Sequence, residues 1–249
     1  MISPTRVVFD ERDRSASVMV INRGDERATY RISMVENRQL PEGGYERTDS
    51  DQATSVGLYP ISDWVRFSPR QVTLSPGERQ KVRLSLRKPS DLPSGEYRSH
   101  LSFKQLPSPT MLEQSKEGSR TQLFMLVGFT IPVQVRQGSE DVTARIENAG
   151  LEQVQGSGNW VVKVDLTRQG SFSSVGKLVI YWQPDEQGAL QKLNFVDNAT
   201  LYREVSARTM NVGLKPEQIR PGIYHVVYEA HKSYDVKEFD RISFHYSGR

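Results

Sequence analysis

Every odd position from Leu123 to Val135 is apolar: Leu123, Met125, Val127, Phe129, Ile131, Val133 and Val135. The even positions mix Phe124 and Leu126 with Gly128, Thr130, Pro132 and Gln134. Side chains alternate across a strand at period two, so this pattern predicts a strand over Gln122 to Val135 with one wholly apolar face, roughly 45 Å long at about 3.3 Å per residue. Ordinary strands are about five or six residues. Pro132 has no N–H for a ladder, which places part of the strand at a sheet edge or a bulge. A long apolar edge is an aggregation hazard, and the expectation is that the protein lends it to a partner.

The rest of the chain fits an all-β protein. Its 249 residues suffice for two domains of ordinary size. In the first half, strands are predicted at Thr5 to Phe9, Ala16 to Ile21, Ala28 to Val35, Arg79 to Leu86 and Glu96 to Lys104, each bounded by turn-forming residues. Gln39 to Asp63 is polar and rich in Gly, Asp and Ser, and is expected to be a long excursion with little regular structure; Pro107 to Arg120 is similar. After the polar stretch Arg136 to Asp141 a second series is predicted near Thr143 to Asn148, Trp160 to Thr167, Lys177 to Trp182, Leu190 to Val196, Arg208 to Gly213, Tyr224 to His231 and Ile242 to Tyr246. Helical periodicity is absent. The expected architecture is two immunoglobulin-like β-sandwich domains, 1–137 and 138–249, joined by a short elbow.

One internal repeat supports the division. Gly95-Glu96-Tyr97 and Gly222-Ile223-Tyr224 each follow a proline and open the penultimate strand of their half. Immunoglobulin-like sandwiches place a Tyr there, its hydroxyl bonded to backbone upstream.

Composition narrows the chemistry. There is no cysteine, which removes disulfides, thiolate metal sites and cysteine nucleophiles together. The net charge is only +3, and basic residues such as Lys81, Arg83 and Arg87 alternate with apolar ones, as on a solvated sheet face and unlike a nucleic-acid surface. No apolar run of about 18 residues exists, so no membrane-inserted helix is expected. The histidines His100, His225, His231 and His245 form no H-E-x-x-H pattern, and neither a G-x-S-x-G elbow nor a phosphate-binding glycine motif occurs. No metal, cofactor or catalytic residue is expected.

The succession of motifs in the first half resembles the PapD-like periplasmic pilus chaperones, as a divergent branch. The residues that carry the resemblance are Arg6-Val7-Val8-Phe9, Val20-Ile21-Asn22, Phe67-Ser68-Pro69 and Leu74-Ser75-Pro76-Gly77-Glu78 before Val82-Arg83-Leu84. Leu92-Pro93-Ser94-Gly95-Glu96-Tyr97, leading to Phe103-Lys104-Gln105-Leu106-Pro107 and then the long strand, completes them. The resemblance implies an ATP-independent chaperone that inserts its last first-domain strand into incomplete pilus subunits and delivers them to an outer-membrane usher. It also implies a periplasmic location, with any signal peptide already removed. On this reading Leu123, Met125, Val127 and Phe129 fill the subunit, and Arg6 anchors its terminal carboxylate, a task suited to a guanidinium fork.

The family commonly has a second basic anchor, a lysine, where this chain has Thr130. Arg98, Lys104 and Arg136 are the alternative basic contacts. Arg136 and Glu96 also resemble positions that hold the family's two domains together. Two rival readings are a structural or adhesive tandem sandwich whose strand forms a self-dimer, and a carbohydrate-binding module with exposed aromatics.

Overall fold

The structure, a computed structural model, describes residues 1–108 and 125–248. The protein is nearly all β and divides into two compact units. The first comprises Met1–Arg38 and Arg47–Ser139; the second comprises Gln39–Glu46 and Glu140–Arg249.

The first unit is a sandwich. One sheet has the order β1 (Ile2–Ser3), β3 (Ser15–Ile21), β8 (Arg79–Leu86), β6 (Val65–Ser68); the other runs β2 (Val7–Phe9), β10 (Gly128–Gln137), β9 (Gly95–Leu106), β4 (Ala28–Gln39), with β7 (Gln71–Leu74) also on β4. Period-two alternation explains the packing: Val18, Val20, Val82 and Leu84 face inward from the first sheet, and Ile32, Leu101, Phe103 and Val133 from the second. Asn22 is buried at a corner, where its Nδ2 donates to the carbonyls of Glu26 (2.7 Å) and Leu74 (3.0 Å) and its Oδ1 accepts the Gly24 N–H (3.0 Å).

The first strand is broken. Ile2 pairs with Val20 in one sheet, the chain crosses over Pro4 to Arg6, and Val7 to Phe9 then join the other sheet parallel to β10. The expected strand from Thr5 to Phe9 is therefore shortened to Val7–Phe9, and an unanticipated strand, Ile2–Ser3, precedes it in the other sheet.

The second unit is also a sandwich, with a sheet β11 (Val142–Gln153), β12 (Trp160–Gly170), β15 (Ala207–Leu214) and a sheet β14 (Gln191–Leu201), β13 (Ser174–Gln183), β16 (Gly222–Ala230), β17 (Glu238–Tyr246). Val162, Val164, Leu166 and Val212 meet Leu178, Ile180, Val226 and Tyr228 in its core. All seven strands lie where the pattern of the second half placed them, most with longer ends, although β14 starts one residue after Leu190 and β16 ends one residue before His231. The β4 strand ends in this unit: Gln39 Nε2 donates to the Thr200 carbonyl (2.9 Å), its Oε1 accepts the Tyr202 N–H (2.9 Å), and its N–H donates to Glu204 (2.9 Å).

Both tyrosine corners form. The Tyr97 hydroxyl donates to the Pro93 carbonyl at 3.0 Å. The Tyr224 hydroxyl accepts the Arg220 N–H at 3.1 Å and donates toward the carbonyls of Arg220 and Gln218 at 3.0 and 3.2 Å. The repeat extends to the glycines, with φ of 146° at Gly95 and 145° at Gly222, a conformation that L side chains rarely adopt.

Two expectations change. The excursion from Gln39 to Asp63 contains the strand β5 (Tyr45–Thr48), a helical turn at Ser50–Ala53, and the buried residues Ala53, Leu58 and Ile61. Its polar composition concealed three isolated apolar anchors. The predicted long strand begins at Gly128 and continues to Gln137; Met125 to Val127 precede it outside regular structure, and Leu123 lies outside the described residues.

Candidate functional site

The broken first strand leaves β10 half-covered. On one side β10 pairs with β9 along its whole length, from Gly128 opposite Lys104 to Gln137 opposite Gly95. On its other side β2 covers only Val133, Gln134 and Val135. Gly128 to Pro132 thus form an edge with no strand neighbour among the described residues.

The ladder fixes which groups face outward. The Gln105 N–H donates to the Val127 carbonyl at 3.2 Å, so in this antiparallel pair the odd residues of β10 exchange hydrogen bonds with β9 and the even residues turn theirs away. Gly128 and Thr130 each present an N–H and a C=O to the open side, whereas in the parallel register of Val7 with Val133 the Pro132 carbonyl accepts the Val7 N–H. Pro132 costs the β9 ladder nothing, because its nitrogen points to the uncovered side. Of the two expectations for Pro132, a sheet edge or a bulge, the structure shows the edge, with the β9 register unbroken through Pro132.

Side chains of the odd positions stand perpendicular to the ladder, on the core face. Ile131, Val133 and Val135 are buried. Toward the start of the strand the same series emerges from the core: Phe129 is 36% exposed, Val127 44% and Met125 82%, with Leu126 beside them at 38%. Val127 is tethered, its N–H donating to Gln105 Oε1 at 3.3 Å. An extended apolar row therefore adjoins the open hydrogen-bonding edge.

Arg6 stands immediately before β2 begins. Continuing the parallel register from Val7 opposite Val133 puts Arg6 level with Pro132, at the boundary between the covered and open parts of β10. The side chain is half-buried, and its Nε is buried without a hydrogen-bond partner among the described residues. Thr130, exposed, lies two positions back along the open edge. The structure thus brings Arg6, Thr130 and Phe129 to one stretch of β10.

The alternative basic contacts separate into two groups. Arg98 and Arg136 are buried on the covered half of the sheet. Arg136 Nε donates to Glu96 Oε2 at 3.3 Å, and Glu96 Oε1 accepts Gln134 Nε2 at 2.7 Å. Arg98 donates to the Asn37 carbonyl at 3.2 Å and to His100 Nε2 at 3.3 Å. An arginine can only donate, so the Nε2 of His100 accepts and the imidazole is neutral; burial first, and Arg98 second, push its pKa down to about 3. On the neighbouring strand β4, burial raises the Glu36 carboxyl, against hydrogen bonds from Ser99 and Ser62.

Lys104, by contrast, is exposed and faces Gly128 at the open end. Sequence reasoning named Lys104 but missed Arg31, which stands opposite it on β4; only the three-strand register could join the two.

Among the described residues no helix is long and apolar enough to cross a membrane, and no three His, Asp or Glu side chains are grouped to hold a metal. No protein-family model matches the chain, and no curated protein matches it. Solved structures similar to it over nearly its whole length include several fimbrial chaperones. One is the class 5 fimbriae chaperone CfaA, 15% identical, with 98% of this chain and 97% of that one covered and a TM-score of 0.48. The chaperone DraB of E. coli is 12% identical, covering 100% and 96%, with a TM-score of 0.47. The structure of the CsuC–CsuE chaperone–tip subunit complex from archaic chaperone-usher Csu pili of Acinetobacter baumannii is 14% identical, covering 98% and 96%, with a TM-score of 0.44.

Proposed function

We propose that the protein is an ATP-independent periplasmic chaperone that binds fimbrial subunits by adding the open edge of β10 to their unfinished sheets, and then delivers them to an outer-membrane usher. The observation that carries this reading is the uncovered stretch from Gly128 to Pro132 beside an exposed apolar row. A closed sandwich would cover such an edge. Fully burying an apolar side chain of this size contributes about 1.5–3 kcal/mol; scaled by the exposures of Met125, Val127 and Phe129, covering them contributes about 2.5–5 kcal/mol. Association costs about 4–15 kcal/mol. The outward N–H and C=O groups of Gly128 and Thr130 must therefore contribute through main-chain pairing. Arg6, at the inner end of the edge, has the position and chemistry to hold a subunit's terminal carboxylate.

Thr130→Pro tests this directly. The Thr130 N–H faces the open side, so the substitution leaves the β9 ladder intact and removes one of the two outward donors. Soluble recovery of a co-expressed fimbrial subunit is expected to fall sharply in Thr130→Pro and in Met125→Asp/Val127→Asp, with the chaperone still folded. Undiminished recovery would remove the edge from the function. Formation of a stable self-dimer that buries the edge, seen by sedimentation of the purified protein, would favour the tandem-sandwich reading instead.

A further inference from the structure

The outer face beside the open edge carries an unbalanced charge. Arg31 on β4 stands directly opposite Lys104 on β9, and Lys104 directly opposite Gly128 on β10. All three lie on the side away from the core, since their neighbours Tyr30, Ile32 and Phe103 are buried. Both cations are exposed, and neither has an acidic partner among the described residues. Like charges directly opposite on a sheet are destabilising, so the pair is an expense to the isolated protein.

The row ends in a gap. Gly128 has no side chain, and its pair with Lys104 is one of the narrow, non-hydrogen-bonded pairs, about 4.5 Å between Cα atoms. The flexible stem of Lys104 can therefore lie across Gly128 toward the open side. A strand added to β10 would run about 4.8 Å beyond it, where a carboxylate-bearing side chain meets that ammonium. From the edge reading above, on which this step rests, we propose that the occupying strand carries an acidic side chain level with Gly128, held by Lys104, with Arg31, three strand spacings or about 14 Å from that strand, adding only positive potential.

Arg6 does not answer the same carboxylate. It is level with Pro132, four residues and about 13 Å along the strand from Gly128. The open edge thus has a cationic station at each end, and the one at Gly128 reads a side chain within the strand. Among partners, this selects strands with Asp or Glu at one outward-facing position and disfavours those with Lys or Arg there.

The test uses the full chain and three short fluorescent peptides of alternating Val and Thr, amidated at the C-terminus, that differ only in Glu, Gln or Lys at one central Thr position. Fluorescence polarisation is expected to show the Glu peptide binding about three- to tenfold more tightly than the Lys peptide, with the difference shrinking at high salt. Lys104→Glu should reverse the preference. Gly128→Thr should weaken it with the charges intact; a Cβ at Gly128 makes only an ordinary 3.5 Å contact with the Phe103 carbonyl, so the fold is retained.

Equal affinity of wild type for the three peptides would overturn the acidic position and leave the edge reading standing. Absence of saturable binding for all three, indistinguishable from Thr130→Pro, would overturn both. A preference for Glu that survives Lys104→Glu would also defeat the proposal. So would affinity that depends only on a free peptide C-terminus, which would assign the carboxylate to the chain end, and so would a self-dimer that already fills the edge.

Discussion

The tyrosine corner of the second unit offers a sharp physical test, because Tyr224→Phe removes one oxygen and leaves the ring. Tyr224 is fully buried, stacked on Phe244 at 5.4 Å between centroids, so the packing term is retained. What disappears is the accepted bond from the Arg220 N–H and the donated bond to the Arg220 and Gln218 carbonyls. Each intramolecular hydrogen bond has a net worth of about 0.5–1.5 kcal/mol, more where the abandoned group stays buried; two give a loss of about 1–3 kcal/mol. For a unit of this size, 1 kcal/mol moves Tm by roughly 4 °C, so the second unit's transition should fall by roughly 4–12 °C. Calorimetry of Tyr224→Phe beside wild type reads this, and a urea m-value equal to wild type shows that the native state keeps its compactness. If Tyr224→Phe melts within a degree of wild type, the hydroxyl is not a tether and the corner is a sequence coincidence.

Gly222→Ala should be more damaging, since a Cβ there would sit 2.5 Å from Trp182 Nε1 and 2.6 Å from the Gln183 carbonyl at a φ of 145°; a loss of about 2–4 kcal/mol in urea unfolding is expected. Asn22→Ala removes three hydrogen bonds at a buried corner of the first unit, and its urea midpoint should report a loss of about 2–3 kcal/mol. His100, with its pKa near 3 in the fold against an unfolded value of about 6.5, stays neutral while the unfolded chain takes up a proton. Its contribution is therefore complete above about pH 6.5 and declines as the pH falls toward 3. Urea unfolding of His100→Gln at pH 7 and pH 4 should show a smaller acid-induced loss than wild type; an equal loss would show that other groups dominate the acid limb.

Local pattern made much of this fold readable. Alternation of apolar and polar residues is a period-two property of the chain, so β8 (Arg79–Leu86) was predicted at its observed bounds and the seven strands of the second unit at nearly theirs. The paired Gly-x-Tyr sites were legible because glycine at φ near 145° and a tyrosine two residues on are both local requirements. Four short strands were not: Ile2–Ser3, Tyr45–Thr48, Val65–Ser68 and Gln71–Leu74 span two to four residues each, too few to establish a period. The helical turn at Ser50–Ala53 escaped for the same reason.

For the candidate site, the sequence determined that Leu123 to Val135 alternates, that Pro132 belongs at an edge, and that Arg6, Thr130 and Lys104 are worth watching. Only the tertiary structure decided how far the edge is open. That depends on the chain leaving one sheet after Ser3 and entering the other at Val7, so that β2 first meets β10 at Val133 and leaves Gly128 to Pro132 uncovered. Likewise, nothing near Arg31 or Lys104 in the chain tells that they face each other beside Gly128. Alternation within a strand is set by the backbone of that strand, whereas a register between strands distant in sequence is set by the packing of both faces at once.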